Sequence, residues 1–196
     1  MNMKKGDYLT TILRSKKTVF SFKDIALLWG DGGNAAKSRI NYYVKNGDLY
    51  HIRRGFYAKD KEYDKNELAT KIYTPAYISF ETVSGANGLT FQYYSQIFVA
   101  SYLTREIKCD DQTYFFKKIK DEILTNKIGL ANEGEYLAAA PERAMLDMLY
   151  VYKRYYFDNL SGLDWDKVFE ILPIYNNKAM EKRVNKLFLE TKADKK

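Results

Sequence analysis

The chain has 196 residues, which is enough for one domain or two small ones, and its hydrophobic fraction of 46% is sufficient for a packed core. A charged fraction of 29% and only three prolines argue against a disordered or collagen-like chain. No apolar run approaches the roughly 20 residues that cross a bilayer, and polar residues follow the basic start of the chain. We therefore expect neither a membrane span nor a secretory signal.

Residue counts also restrict the chemistry of the chain. Cys109 is the single cysteine and His51 the single histidine, so an internal disulfide and a Cys/His zinc site are both excluded. A Ser-His or Cys-His enzyme would have to use His51, which lies in a basic, strand-like segment. We expect a cytoplasmic protein without a metal, a cofactor or catalytic residues.

The positive charge is concentrated in the first third of the chain. Residues 1–60 contain 12 lysines and arginines against 5 acidic residues, whereas residues 61–196 contain 20 of each. An asymmetry of this kind indicates an anionic partner for the basic part, most often nucleic acid.

The basic segment 1–60 begins with three predicted helices. Asp7–Arg14 carries apolar residues at helical spacing, and Ser21 is a favourable N-cap for a second helix. The glycine-rich segment 30–33 ends that helix. Asn34 is predicted to cap a third helix that runs to Lys45.

A hairpin is predicted directly after the third helix. Residues 46–47 form a helix stop, and the strands 49–52 and Phe56–Ala58 are joined by the basic turn 53–55. Three helices followed by a basic hairpin are typical of a winged helix-turn-helix. In that fold the third helix enters the major groove, and the hairpin lies along phosphates or an adjacent minor groove.

The residue types on the third helix and the hairpin suit DNA binding. Lysine and arginine pair with phosphates, and asparagine, serine and arginine can reach base edges. An ordinary solvated helix face, or a winged helix that binds protein, is the alternative. The predicted DNA-binding residues are Asn34, Lys37, Ser38, Arg39, Asn41, Lys45, His51, Arg53 and Arg54.

Residues 61–196 predict a second, α+β domain with strands in the middle and helices behind them. We find no catalytic motif in this domain. Its acidic pairs are interpreted as solvated surface residues. The tyrosine-rich segment 150–156 is interpreted as part of the core and of an interface, and the alternative is that its rings stack on bases. The predicted helices span 64–73, 79–86, 141–156, 164–172 and 178–192, and the predicted strands lie at 77–79, 97–103, within 108–120 on either side of a turn at 110–111, and at 136–139.

Three segments carry a family resemblance. Residues 47–57 have the pattern G-x-L-x-x-I-x-R-G-x-Y, residues 75–82 read P-A-Y-I-S-F-E-T before Gly-Leu at 88–89, and residues 140–147 read A-P-E-R-A-M-L-D. In this order and at these separations they resemble the AbiEi-like antitoxin family of bacterial abortive-infection toxin–antitoxin systems. The resemblance covers roughly residues 5–155, and the chain departs from the family pattern at residues 82–84 and at Arg143, where a lysine is commoner.

The resemblance implies a winged-helix DNA-binding domain at residues 1–60 and a C-terminal antitoxin domain at residues 61–196. Proteins of this family bind inverted repeats in their own promoter, repress it, and counter a toxin that resembles nucleotidyltransferases. Two other functions stay open: a stand-alone transcription factor whose second domain senses a ligand or dimerises, and a nuclease that uses carboxylates of the second domain.

Overall fold

Helices and strands are interspersed along the chain. Of the residues that the structure describes, 46% are helical and 20% are in strands, which agrees with the predicted α+β class. The computed structural model describes residues 7–152 and 154–193. The basic start of the chain and Lys153, inside the tyrosine-rich segment, lie outside the described residues. Of the described helices, none combines the length and the apolar character that a membrane span requires.

An N-terminal unit, residues 7–58, contains three helices and an antiparallel sheet of three strands in the order β1-β3-β2. The strand β1, between the first two helices, was not predicted; its three residues are too few for a sequence pattern. The elements are α1 Asp7–Arg14, β1 Val19–Ser21, α2 Phe22–Trp29, α3 Gly33–Lys45, β2 Tyr50–Arg53 and β3 Phe56–Ala58.

Capping residues define both ends of α2. The Ser21 side chain accepts a hydrogen bond from the Asp24 amide at 3.1 Å, and the Asp24 carboxylate accepts one from the Ser21 amide at 2.8 Å, which confirms Ser21 as the predicted N-cap. Gly30 ends the helix with a φ of 65°. The prediction that Asn34 caps α3 is wrong: Gly32 occupies that position, because glycine also tolerates the extended cap conformation.

A second unit, residues 65–193, is built on a six-stranded mixed sheet in the order β6-β7-β5-β4-β9-β8. Its helices are α4 Lys65–Ile72, α5 Phe80–Ala86, α6 Asp121–Leu124, α7 Pro141–Val151, α8 Trp165–Ile171 and α9 Lys178–Ala193, with a 3-10 turn at Leu172–Tyr175. Its strands are β4 Ala76–Ile78, β5 Ile97–Ser101, β6 Arg105–Cys109, β7 Gln112–Lys118, β8 Leu130–Glu133 and β9 Tyr136–Ala139.

Helices cover both faces of the central part of this sheet. Every residue of β5 is buried, as expected for a strand with neighbours on both faces. The helix α4 packs against the strands β4, β5 and β9. The helices α5 and α7 pack against each other. In addition, α5 packs against β5 and α7 packs against β9. The sheet therefore forms the middle layer of the second unit.

Element ends are where prediction and structure differ most in this unit. The helix α7 ends at Val151 rather than residue 156, because Tyr152 turns extended and its carbonyl accepts a hydrogen bond from Arg183 at 3.0 Å. The strand predicted to reach residue 103 ends at Ser101. The strand β8 was missed because it is a polar, largely exposed edge strand.

The N-terminal sheet lies between two hydrophobic cores. Side chains of a strand alternate between its faces, and accordingly Phe20 belongs to the core formed by α1, α2 and α3, whereas its neighbour Val19 belongs to the core of the second unit. Ile52 and Ala58 join Val19 in that larger core. The two units thus share buried surface across the boundary predicted near residue 60.

Candidate nucleic-acid interface

Most exposed residues of α3 are polar. Ala36, Ile40 and Tyr43 fix the helix to the N-terminal core. Because a helix repeats every 3.6 residues, the residues three and four positions apart on the opposite side form one continuous stripe. This α3 stripe consists of Asn34, Lys37, Ser38, Asn41 and Lys45, and all five are exposed.

Arg39 does not join the α3 stripe. Its Nε donates to the Asp31 carboxylate at 2.8 Å, and its guanidinium lies 3.6 Å from the centre of the Tyr8 ring. The hydrogen bond to Asp31 raises the pKa of Arg39. This side chain, which the sequence predicts to reach base edges, joins α1 to the α2–α3 turn.

Tyr42 is an exposed α3 residue that is not among the predicted DNA-binding residues. It lies four positions after Ser38 and is therefore next to the α3 stripe on the same side of the helix. Its ring packs edge-on against Tyr43 at 5.4 Å. The helical spacing from Ser38 was the signal that could have identified it.

The tip of the hairpin presents one exposed arginine. Arg54 is exposed, and Gly55 follows it with a φ of 83°, a conformation that favours glycine. His51 is also exposed, with its ring 5.4 Å from that of Tyr57 on the paired strand. These two residues lie where the sequence predicted a DNA-facing hairpin.

Arg53 is oriented differently from Arg54. The pairing of β2 with β3 shifts register between His51 and Arg53, and an irregularity of this kind re-aims the side chain that follows it. Its Nη1 atom is buried and has no hydrogen-bond partner among the described residues. Burial raises the pKa of Cys109 and of Tyr114, and the nearby charge of Arg53 partly opposes both shifts. Arg53 therefore lies partly against the second unit, and the two arginines of the hairpin differ in their surroundings.

A buried carboxylate holds the edge strand β1 in place. Glu67 of α4 is only 1% exposed and accepts hydrogen bonds from the Thr18 amide at 2.8 Å and the Thr18 hydroxyl at 2.6 Å. Lys71, one turn later, pairs with the same carboxylate and donates to the Val19 carbonyl. This Glu67 clamp connects the second unit to the N-terminal sheet.

The turn between β6 and β7 provides a second connection. Asp110 accepts hydrogen bonds from the hydroxyls of Tyr50 at 3.0 Å and Tyr63 at 2.6 Å. Tyr50 belongs to the hairpin strand β2, so the hairpin is held at its base by the second unit while its tip is exposed. These contacts join the base of the hairpin to the second unit.

The most strongly charged interior site lies around α7 and is closed to solvent. Arg143 donates to the carbonyls of Ile123 and Ile128, both at 2.7 Å, and to the Tyr77 hydroxyl at 3.1 Å. Asp147 accepts from the hydroxyls of Tyr77 at 3.0 Å, Ser79 at 2.7 Å and Tyr175 at 2.6 Å.

Both charged residues of this α7 network are fully buried. Burial raises the pKa of Asp147, and the nearby Arg143 opposes that shift. Since each group has internal partners and no access to solvent, the network is suited to fixing α7 rather than to chemistry on a substrate. Among the described residues, no three metal-ligating side chains cluster in a way that could hold an ion.

Comparison with known proteins returned no match, either against protein-family models or against curated protein sequences. The geometry of the α3 stripe and of the hairpin is therefore the basis for assigning a function.

Proposed function

We propose that this chain is a non-enzymatic, sequence-specific DNA-binding transcriptional regulator. In this proposal residues 7–58 act as a winged helix-turn-helix, with α3 in the major groove and the hairpin tip along the phosphate backbone. The observation that carries the proposal is the α3 stripe, a continuous exposed row of amide, hydroxyl and ammonium groups on a helix whose other side is anchored in a core.

The chemistry of the stripe matches both parts of DNA recognition. Lys37 and Lys45 supply charges that pair with phosphates and release counterions. Asn41 and Asn34 carry amides that can bond adenine in two places, and Ser38 can bond either kind of base edge. Arg54 at the hairpin tip adds a further phosphate contact.

The element order also supports the proposal. The unit contains a helix, a short strand, two helices and a hairpin, and the last strand of the hairpin pairs with the short strand. In a winged helix this arrangement presents the third helix and the wing on one side. The Glu67 clamp and the Asp110 contacts limit movement of the sheet relative to the second unit. A sheet that moves little keeps the wing in one place, which favours a defined binding site.

We further propose that the target is the protein's own promoter and that the second unit acts in the cytoplasm as an antitoxin against a nucleotidyltransferase-like toxin. This part rests on the three sequence segments that resemble the AbiEi-like antitoxin family. Co-expression tests it: the full chain is expected to restore growth of cells that express such a toxin encoded beside it. Continued growth arrest at equal toxin levels would contradict it.

A stand-alone transcription factor with a ligand-sensing second unit is the other candidate. A cleft of ≈ 400 Å³ in that unit, lined by aromatic and polar side chains, favours it. The two candidates share the DNA-binding step and differ in whether a toxin or a small molecule acts on the second unit.

A mobility-shift titration tests the shared step. The protein is titrated against a duplex from its own upstream region and against a scrambled duplex, at two salt concentrations. We expect shifts that prefer the native sequence and weaken as the salt concentration rises. Equal, weak binding to both duplexes would instead identify the N-terminal unit as a protein-binding module.

A further inference from the structure

A surface groove of the second unit runs between α9 and the irregular segment 154–161. It consists of two adjoining hollows with volumes of ≈ 470 Å³ and ≈ 340 Å³. The residues that line both hollows, and so join them into one groove, are Tyr155, Tyr156, Leu187 and Glu190. On α9 the lining extends from Arg183 to Thr191, which is about 12 Å of helix at about 1.5 Å per residue.

One face of α9 forms a wall of the groove. Residues three and four positions apart share a face of a helix, and the residues of α9 that line the first hollow at this spacing are Arg183, Lys186, Leu187 and Glu190. The Nη1 atom of Arg183 donates to the Tyr152 carbonyl at 3.0 Å. Since Tyr152 lies just before the segment 154–161, this contact shows that the face is directed towards the opposite wall.

The first hollow is basic. Arg154, Arg183 and Lys186 line it against one carboxylate, that of Glu190. The Lys186 ammonium lies 3.6 Å from Glu190, so the acidic side chain at this end already has a cationic partner. Arg154 is exposed and has neither a hydrogen bond nor an ion pair within the described part of the chain. This end of the groove is therefore complementary to a negatively charged group.

Apolar residues lie beside these cations. Leu149 lines the first hollow and is only 3% exposed, and Leu187 is partly buried against the same hydrophobic core. An apolar group that enters the hollow is removed from water at these two residues. The first hollow therefore suits a ligand that carries both a negative charge and an apolar group.

The second hollow is polar, and none of the described residues that line it is a cation. Asn159, Ser161 and Thr191 line it, together with the acidic residues Asp158 and Glu190. A hydrocarbon chain in this hollow would remove water from these groups without replacing it. A peptide backbone carries donors and acceptors that can replace that water, so the polar lining favours a peptide over a fatty acid.

The same lining argues against nucleic acid as the ligand. Single-stranded nucleic acid carries a negative charge at every phosphate, so a strand along the groove would bring phosphates to the acidic second hollow. A peptide can place its acidic side chains at the basic end alone. The change in charge along the groove thus selects a peptide whose acidic residues lie on one side of its apolar residue.

Contacts at two points hold the segment 154–161 in place. The rings of Tyr152 and Tyr155 are stacked with their centres 5.4 Å apart. The Asp158 amide donates to the Leu89 carbonyl at 2.9 Å. A groove whose wall is already ordered loses less conformational entropy when a ligand binds.

We propose that this groove binds an acidic peptide segment of a partner protein. Carboxylates of the segment pair with Arg154 and its neighbouring cations, and an apolar side chain packs against Leu149 and Leu187. The available length accommodates about four residues of extended chain, at about 3.3 Å per residue. The inference does not depend on DNA binding by the N-terminal unit, so either can fail without the other.

The test begins with a phage-displayed library of random heptapeptides, selected on the immobilised full chain. We expect enriched sequences to carry aspartate or glutamate next to a large apolar residue. A fluorescein-labelled peptide of the most enriched sequence is then titrated by fluorescence anisotropy. We expect Arg154→Ala/Lys186→Ala to weaken its binding about 10-fold with an unchanged melting temperature, because both side chains are exposed and supply charge to the peptide.

A matched control separates the groove from the general positive charge of the surface. Lys167 and Lys178 are also exposed lysines of the second unit but line neither hollow, so Lys167→Ala/Lys178→Ala should bind the peptide like the wild type. Enrichment of basic or uncharged sequences, or of none, would overturn the proposal. So would wild-type affinity in Arg154→Ala/Lys186→Ala. Displacement of the labelled peptide by oligodeoxythymidine at a lower concentration than by unlabelled peptide would identify the groove as a nucleic-acid site instead.

Discussion

The α3 stripe and the α7 network use similar residue types for opposite purposes. Both contain cations and hydrogen-bonding side chains on one helix, but the stripe directs them into solvent, whereas Arg143 and Asp147 are fully buried with internal partners. The partner of a polar side chain, rather than its type, therefore decides whether that side chain is available to bind another molecule.

The largest expected effect comes from breaking the α7 network. Arg143→Met removes the cation and leaves the buried Asp147 carboxylate without its counter-charge. We expect a loss of about 3–5 kcal/mol in the free energy of unfolding, measured by urea denaturation. Lys186→Met, which breaks the exposed pair with Glu190, is the control and should cost about 0–1 kcal/mol. A cost of Arg143→Met as small as that of the control would show that the network is not structural.

The Glu67 clamp should give the next largest effect. Glu67→Leu leaves the Thr18 amide and hydroxyl and the Lys71 ammonium without their acceptor. We expect a loss of about 1.5–3 kcal/mol in stability, together with faster hydrogen exchange at β1. Unchanged exchange at the Val19 and Phe20 amides would mean that the clamp does not hold the edge strand.

Asn41 and Arg39 allow a direct comparison on one helix. Asn41→Ala is expected to cost about 1–3 kcal/mol in binding to the preferred duplex and almost nothing on a scrambled duplex. Arg39→Ala should lower stability by about 1 kcal/mol, because it removes the contacts with Asp31 and Tyr8. Fluorescence anisotropy titrations and thermal melts of both variants check this. A loss of sequence preference in Arg39→Ala alone would reverse the assignment.

Arg54 and Arg53 should differ in a smaller but measurable way. Arg54→Ala is expected to weaken binding equally on all duplexes and to reduce the salt slope by about 0.9. For Arg53→Ala we expect an unchanged slope, since its Nη1 atom is buried. A slope reduced equally in both variants would show that both arginines contact phosphate.

Local patterns predicted most of the N-terminal elements. Capping and turn chemistry within a few residues predicts three of them: the Ser21 cap, the end of α2 at the glycines, and the hairpin whose second strand is Phe56–Ala58. The strand β1 could not be predicted, because its three residues become a strand only by pairing with β3. The pairing partner lies nearly 40 residues away in sequence.

The sequence predicts which positions belong to the candidate site, but not which of their side chains contact other parts of the protein. Helical spacing selects the α3 stripe, and all five of its residues are exposed. The engagement of Arg39 with Asp31 depends on how α1 and the α2–α3 turn meet, and the burial of the Arg53 Nη1 atom depends on the second unit. Neither contact leaves a periodic signal in the sequence.

The most direct test of the account is the salt dependence of DNA binding by a Lys37→Ala/Lys45→Ala double variant. Anisotropy titrations over a range of salt concentrations give the slope of log affinity against log salt. If α3 lies in the groove, the slope should fall by about 1.8 relative to the wild type, at about 0.9 for each lost phosphate contact. A Lys167→Ala/Lys186→Ala control in the second unit should keep the wild-type slope. An unchanged slope in the α3 variant would contradict the claim that this stripe faces DNA.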